Sequence, residues 1–570
     1  PAYLAKEAQE QLFGELKRAK KQEQLVRDFL RLALNYQVER RLLLEQTGVS
    51  GAILRTLIDK GIFLEEERPI SRLRQYTGET QMPHALDSQQ SRAIAEIRES
   101  WQEKNVTLLH GVTSSGKTEV YIHLIEEMLK QGKQVLYLVP EIALTTQLTD
   151  RLQAVFGDRL VVYHSKFSNA ERVEIYNNIR AKNQEPRTKT GKVILGARSA
   201  IFLPFSDLGL IIVDEEHETT YKQQDPAPRY NARNAAMVLA ASFRAKTLLG
   251  SATPSIESYF NAKMGKYGFV ELLTRHGDIM LPKIEIADTR DLRRKKIMKS
   301  GDISPQLAEA SKKVLDMGGQ VILFRNRRGF APIVECQTCG WIPKCKHCDV
   351  SMTYHKRFNQ LTCHYCGYTY EIPSKCPACG YPTIEIKGFG TEQIEEEAIT
   401  NFEGYPVARM DLDTTRSRKA YEEIISDFEE GKTKVLIGTQ MITKGLDFER
   451  VGVVGILGAD TLLNMPDFRA HERAFQMMEQ VAGRAGRGEI RGDVVIQTYS
   501  PDEYSIVASA HQDYEEFYEQ EMAFRSLMKY PPAVGMLTIQ IASQNEEFAV
   551  SVSKKIGDFL EKNKDFLPSY

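Results

Sequence analysis

Gly111-Val112-Thr113-Ser114-Ser115-Gly116-Lys117-Thr118 decides how the rest of the chain is read. It follows the apolar run Val106-Thr107-Leu108-Leu109 and precedes Val120, Ile122, Leu124, Ile125 and Met128, an apolar set at helical spacing. Phosphate binding needs strand, glycine loop and helix in that order. Glycines let backbone N–H groups turn inward, and the helix N-terminus adds the positive end of its dipole. Lys117 then reaches the β- and γ-phosphates while the Thr118 hydroxyl is placed for Mg²⁺. Average composition produces such an octet roughly 0.02 times in a chain of this length, so chance is set aside. ATP and Mg²⁺ are the expected cofactors, with all eight residues in the binding set.

Outward from the octet, Val135–Val139, Val193–Leu195, Leu210–Val213 and Thr247–Leu249 are β-branched or leucine-rich runs. Runs apolar on both faces predict a parallel sheet covered by helices on each side. A second series comprises Val321–Phe324, Val407–Met410, Val435–Ile437, Val451–Leu457 and Val494–Gln497. Two doubly wound α/β sheets are therefore predicted. Asp214-Glu215-Glu216-His217 closes one of the first runs. Such a tetrad alone is ordinarily a solvated turn, but at a strand end after a phosphate loop it has a chemical role. Asp214 is expected to hold Mg²⁺, and Glu215 to orient and deprotonate the attacking water. In Gln480–Gly488, Arg484 and Arg487 stand three residues apart, which predicts one helical face. Guanidinium donors there suit the charge that builds on a γ-phosphoryl group.

These three patterns resemble motifs I, II and VI of superfamily 2 helicases, which implies two RecA-like motor lobes. Others stand between them in the family's order. Val139-Pro140-Glu141 resembles motif Ia, Gly250-Ser251-Ala252-Thr253-Pro254 motif III, and Gly438 to Phe448 motif V. The last implies nucleotide contact by Gly445 and Asp447. Leu86-Asp87-Ser88-Gln89-Gln90 resembles the Q motif, which implies adenine reading by Gln90. After the acids, Tyr221, Lys222, Gln223, Arg229, Tyr230 and Arg233 interleave aromatic and basic residues. Stacking platforms among cations suit single-stranded DNA, so Tyr221, Lys222, Tyr230 and Arg233 are the expected DNA contacts. A solvated surface loop is the competing reading.

All eight cysteines lie between Cys336 and Cys379, spaced C-x2-C-x5-C-x2-C-x14-C-x2-C-x9-C-x2-C. Four C-x-x-C turns predict two tetrahedral Cys₄ zinc sites and not a disulfide framework. Their clustering points to a reducing, cytoplasmic setting. Val350–His355 and Gln360–Thr362 flank a polar turn and read as a hairpin. Closing it groups Cys345, Cys348, Cys363 and Cys366 at one ion, and Cys336, Cys339, Cys376 and Cys379 at the other. Sequential pairing of neighbouring C-x-x-C turns remains the alternative. His347, His355 and His364 are read as non-ligands.

An eight-cysteine insertion in the second motor lobe, together with the aromatic loop, resembles the PriA family of bacterial replication-restart helicases. The resemblance runs from about residue 5 to the chain end. It implies the nested zinc pairing, 3′→5′ unwinding at stalled or abandoned forks, primosome assembly and loading of the replicative helicase. Implied partners are branched and single-stranded DNA, single-stranded DNA-binding protein, and primosome and helicase-loader proteins, with a monomeric chain. A fork-binding assembly platform with a dispensable ATPase is the second reading; intact Lys117, Asp214, Glu215 and Arg487 favour the motor. The resemblance also implies an N-terminal domain that captures a 3′ DNA end, which is expected to be missing from these residues, and the C-terminal domain reads as incomplete. The first residue, Pro1, likewise reads as belonging to a trimmed chain.

Five regions are predicted over the 570 residues. Residues 1–78 read as a winged helix, with helix, glycine turn and helix around Gly48, then a wing strand at Ile62-Phe63-Leu64. Lobe 1 spans 79–262, lobe 2 spans 263–334 and 381–505, and the two-zinc insertion spans 335–380. Residues 506–570 read as a partial α+β domain with a strand at Met536–Ala542 and a helix to about Lys562. A net charge of −1 gives no global basic field, although Arg325, Arg327 and Arg328 form a local cluster. No apolar run approaches the ~20 residues that span a bilayer, and no signal peptide is seen, so no membrane role is expected.

Overall fold

The computed structural model describes residues 6–32, 38–66, 76, 78–140, 146–164, 167–181, 192–275, 280–298, 301–326, 333–336, 339–348, 350–355, 360–363, 366–382, 384–387, 391–411, 414–415, 418–443, 448–486 and 491–563. They form two units, Pro1–Arg74 and Gln75–Tyr570.

The first unit contains the helices Lys6–Leu16, Lys20–Leu32, Arg40–Thr47 and Gly51–Asp59. Leu16, Leu25, Val26, Leu43, Leu54 and Leu57 form its core. Gly48, at φ +64°, donates to Leu44 O and closes the third helix, a conformation that favours glycine. The expected wing strand at Ile62-Phe63-Leu64 is not formed. The Ile62 and Phe63 amides turn back to Leu57 O (2.9 and 3.3 Å), ending the fourth helix instead of reaching for a ladder.

The second unit is built on two all-parallel sheets. The first comprises β1 (Val106–Gly111), β2 (Gln134–Leu138), β3 (Leu160–Tyr163), β4 (Val193–Gly196), β5 (Leu208–Asp214), β6 (Lys246–Ser251) and β7 (Gly268–Leu272). Their order is β3-β4-β2-β5-β6-β1-β7. Every residue of β2 is buried, which explains a run with no polar alternation. Because β5, β6 and β1 are neighbours, their carboxyl ends deliver the acidic tetrad, motif III and the glycine loop to one sheet edge.

The second sheet uses β8 (Lys283–Asp288) and β9 (Gln320–Phe324). After a long insertion it continues with β15 (Val407–Met410), β16 (Val435–Gly438), β17 (Val451–Ile456) and β18 (Asp493–Thr498), in the order β15-β16-β9-β17-β18-β8. Inside the insertion, β10 (Ile333–Cys336) pairs antiparallel with β14 (Ile384–Lys387) as a stalk. It carries the small sheet β11 (Thr353–His355), β12 (Gln360–Thr362) and β13 (Thr369–Glu371). The predicted hairpin is the β11–β12 pair, although its turn lies outside the described residues.

Two expectations fail here. The helix Ala470–Ala482 ends before Arg484, because Gly483 caps it and Gly486 adopts φ +65°; Arg484 therefore sits on a turn. No strand forms over Met536–Ala542, which has no strand beside it to pair with among the described residues. The following helix, Glu546–Lys562, buries no residue. No helix among the described residues is long and apolar enough to cross a membrane.

Candidate functional site

The glycine loop is shaped for an anionic guest. Ser114 at φ +64° and Gly116 at φ +80° bend the backbone inward ahead of the helix Lys117–Lys130. Lys117 Nζ is parked on Gly111 O (2.6 Å) and Val112 O (3.3 Å). Ser115 Oγ is buried without a hydrogen-bond partner, an orphan that a phosphate oxygen would satisfy. Thr118 lies in the first helical turn. These features fit a nucleotide phosphate. Gln90 is buried beneath the loop: its Oε1 accepts from Asp87 N–H in a capping box, and its Nε2 faces Ser115 O at 3.5 Å. Its side chain thus supports the loop from below; reading adenine would require it to leave that place.

Asp214 ends β5 and accepts from the Tyr121 hydroxyl at Oδ1 (3.1 Å) and the Tyr137 hydroxyl at Oδ2 (3.2 Å). Burial, and then the neighbouring Glu215 carboxylate, push its carboxyl up to about 6. Such a site favours a cation nearby. Glu215 occupies the left-handed region at φ +46°, a costly conformation for this residue. Its Oε2 makes no hydrogen bond and lies 3.6 Å from His217 Nδ1.

The second lobe closes against these residues. The Gln480 amide donates to His217 Nε2 (2.7 Å), leaving Nδ1–H to donate to Ser251 Oγ of motif III (2.7 Å). Gly483 faces Thr113 so closely that a methyl there would sit 3.0 Å from its side chain. Arg484 follows directly, so the turn that carries it borders the phosphate loop. Arg487, Gly445 and Asp447 lie outside the described residues.

The predicted DNA loop divides in two. Lys222 is exposed and Tyr230 half-buried, on a segment closed by the Lys222–Asn231 bridge. Tyr221 and Arg233 are corrections to the expected DNA contacts. Tyr221 is 1% exposed and donates to the Asp214 carbonyl (2.7 Å). Arg233 turns inward to Glu216 Oε2 (2.7 Å), Ser255 Oγ (2.6 Å) and Ser258 Oγ (3.3 Å). Proximity to the acids, which sequence cannot measure, draws both inward.

Sequence reasoning missed two features. Phe202, on the short turn Arg198–Phe202, is 62% exposed and meets Tyr230 edge-on at 5.0 Å. Arg198 Nη1 ties that turn to Thr220 O (3.1 Å). The run Arg198 to Phe202 has the cation-plus-aromatic composition that singled out the loop, and it was the available signal. Second, Arg525 is fully buried and donates to Glu472 Oε2 (2.7 Å) and Glu521 Oε1 (2.6 Å), while the Ile256 amide donates to Glu472 Oε1 (3.0 Å). This network joins both lobes to the helix Tyr514–Met528.

In the insertion, Cys336, Cys339, Cys376 and Cys379 form one cluster and Cys345, Cys348, Cys363 and Cys366 another, with all sulfurs of each within 4.8 Å of one another. Pairs such as Cys336–Cys379 and Cys339–Cys376 stand at 3.6 Å, and Cys345–Cys366 at 3.5 Å. A tetrahedron with Zn–S bonds of ~2.3 Å has edges of ~3.8 Å, whereas a disulfide needs ~2.0 Å. The clusters are zinc sites, grouped in the nested order. Tyr530 donates to Cys348 O (3.1 Å) and stacks on Phe468, so the second cluster packs on the motor.

Comparison with known proteins agrees with this architecture. Residues 87–261 match the DEAD/DEAH box helicase model and 384–489 the helicase conserved C-terminal domain. Residues 345–370 match the PriA DNA helicase Cys-rich region, which encloses the second cysteine set. Residues 1–70 match the winged helix domain of PriA helicase from Bacteroidota. The replication restart protein PriA of Bacillus subtilis is 40% identical over 567 residues, 98% of this chain and 68% of that protein. The chain belongs to the PriA family. The Haemophilus influenzae member is 40% identical over 97% of this chain and 73% of its own length; that of Rickettsia felis is 39% identical over 86% and 73%. Like the family, the chain is an ATP-dependent DNA helicase with a winged helix and a zinc-binding cysteine-rich insertion.

Proposed function

We propose that this helicase moves 3′→5′, recognises stalled or abandoned replication forks, and directs primosome assembly and replicative helicase loading. Single-stranded DNA-binding protein and helicase loaders are its proposed partners. The supporting observation is continuity from the surface to the phosphate loop. Phe202 and Tyr230 face outward, Tyr221 and Arg233 touch the acidic tetrad, and Gln480 reaches His217 from the other lobe.

In the proposed site Lys117 leaves the loop carbonyls to neutralise the β- and γ-phosphates, and Thr118 with Asp214 holds Mg²⁺. Bound there, Mg²⁺ supplies positive charge against the phosphate oxygens. Glu215 takes the proton of the attacking water, and Arg484 and Arg487 stabilise the γ-phosphoryl charge across the cleft. Gly445 and Asp447 are proposed nucleotide contacts.

The test is ATP turnover with and without forked DNA in Glu215→Gln. Turnover should fall ~10³-fold or more while nucleotide affinity stays within several-fold, because the cation-holding groups are untouched. Wild-type turnover would remove Glu215 as the base. Strand displacement on 3′- and 5′-tailed duplexes reads the polarity.

A further inference from the structure

We propose that Tyr121 and Tyr137 are positioning residues that fix the Asp214 carboxylate and leave one lone pair, on Oδ2, for a divalent cation. The inference rests on the reading of Asp214 as the cation-holding acid.

A carboxylate offers about four lone-pair sites. Oδ1 takes two donors, the Tyr121 hydroxyl and the Glu215 amide, each at 3.1 Å. Oδ2 takes one, the Tyr137 hydroxyl at 3.2 Å. With Oδ1 saturated and Oδ2 half used, the carboxylate cannot rotate without losing a buried hydrogen bond. Both phenols are fully buried and meet edge-on, with ring centroids 5.6 Å apart, so each ring restrains the other.

Packing alone does not explain the hydroxyls. Phenylalanine would fill the same apolar space, and a buried hydroxyl is tolerated where it has a partner. The backbone is also cut to fit: a side chain at Gly250, in motif III, would collide with the Tyr121 hydroxyl. Tyr121 comes from the helix behind the phosphate loop, Tyr137 from β2 and Asp214 from β5. The two phenols therefore tie the cation-holding acid to the element that holds the phosphates.

The test uses the full chain and Mn²⁺ as the probe, followed by electron paramagnetic resonance in the presence of ADP, with thermal melting alongside. Tyr121→Phe and Tyr137→Phe should each weaken Mn²⁺ binding several-fold and the double variant about 10-fold, with ADP affinity in the absence of metal unchanged. Should Tyr121→Phe fail to fold, Tyr137→Phe carries the same test at the other oxygen. Asp214→Asn is the control; if it too kept wild-type Mn²⁺ affinity, the reading of Asp214 itself would fall. Wild-type Mn²⁺ affinity and line shape in folded Phe variants, with Asp214→Asn losing both, would overturn the proposal.

Discussion

Tyr221 and Arg233 at the two ends of the loop, and Lys222 and Tyr230 between them, share one chemistry and have opposite fates. The outer pair of residue types meets solvent, with Tyr230 against the exposed Phe202. The inner pair meets Asp214 and Glu216. An aromatic and basic segment need not be a binding surface along its whole length. Here one half faces solvent and the other packs on the acids, and we propose that the first touches DNA and the second reports that contact.

The division gives effects of graded size. Arg233→Ala strands the Glu216 carboxylate, whose side chain is 0% exposed, without its cation. Breaking a buried pair from one side costs about 3–5 kcal/mol, so urea unfolding should show a loss of that order. Unchanged stability would break the division at its inner end. Tyr230→Ala should leave unfolding untouched and weaken single-stranded DNA binding by about 1–3 kcal/mol in fluorescence anisotropy, the worth of one stacked base. A stability loss equal to that of Arg233→Ala would place Tyr230 with the buried half. Lys222→Ala should act least, weakening binding evenly across sequences. Its slope of log affinity against log salt should be shallower by about 0.7, one phosphate contact on a single strand. An unaltered salt slope would remove Lys222 from the backbone path.

What sequence made legible follows from how local the physics is. The glycine loop and acidic tetrad need contiguous residues at a strand end, so their chemistry is written in one short stretch each. Runs buried on both faces announced parallel strands, and the hairpin between the second and third cysteine pairs pointed to the nested clusters. Features that depend on distant partners were not legible. Arg525 finds Glu472 at a separation of 53 residues, and nothing near either marks them as buried. The spacing of Arg484 from Arg487 predicts a helix, but glycine backbone conformation decides where that helix stops. At Ile62–Leu64 and Met536–Ala542, strand-like composition predicts a strand with no ladder to join among the described residues. Likewise, residue type marks Tyr221 and Arg233 as DNA contacts, yet only tertiary contacts tell inward from outward.

The claim that this loop transmits DNA contact to the acids is tested most directly at Tyr221, whose hydroxyl reaches the Asp214 carbonyl. The measurement is the ratio of ATP turnover with saturating single-stranded DNA to turnover without it, in Tyr221→Phe. Removing one buried hydrogen bond of about 1–3 kcal/mol should lower that ratio by about tenfold while DNA affinity, which we assign to the outer half, is retained. A wild-type ratio at wild-type DNA affinity would contradict the account.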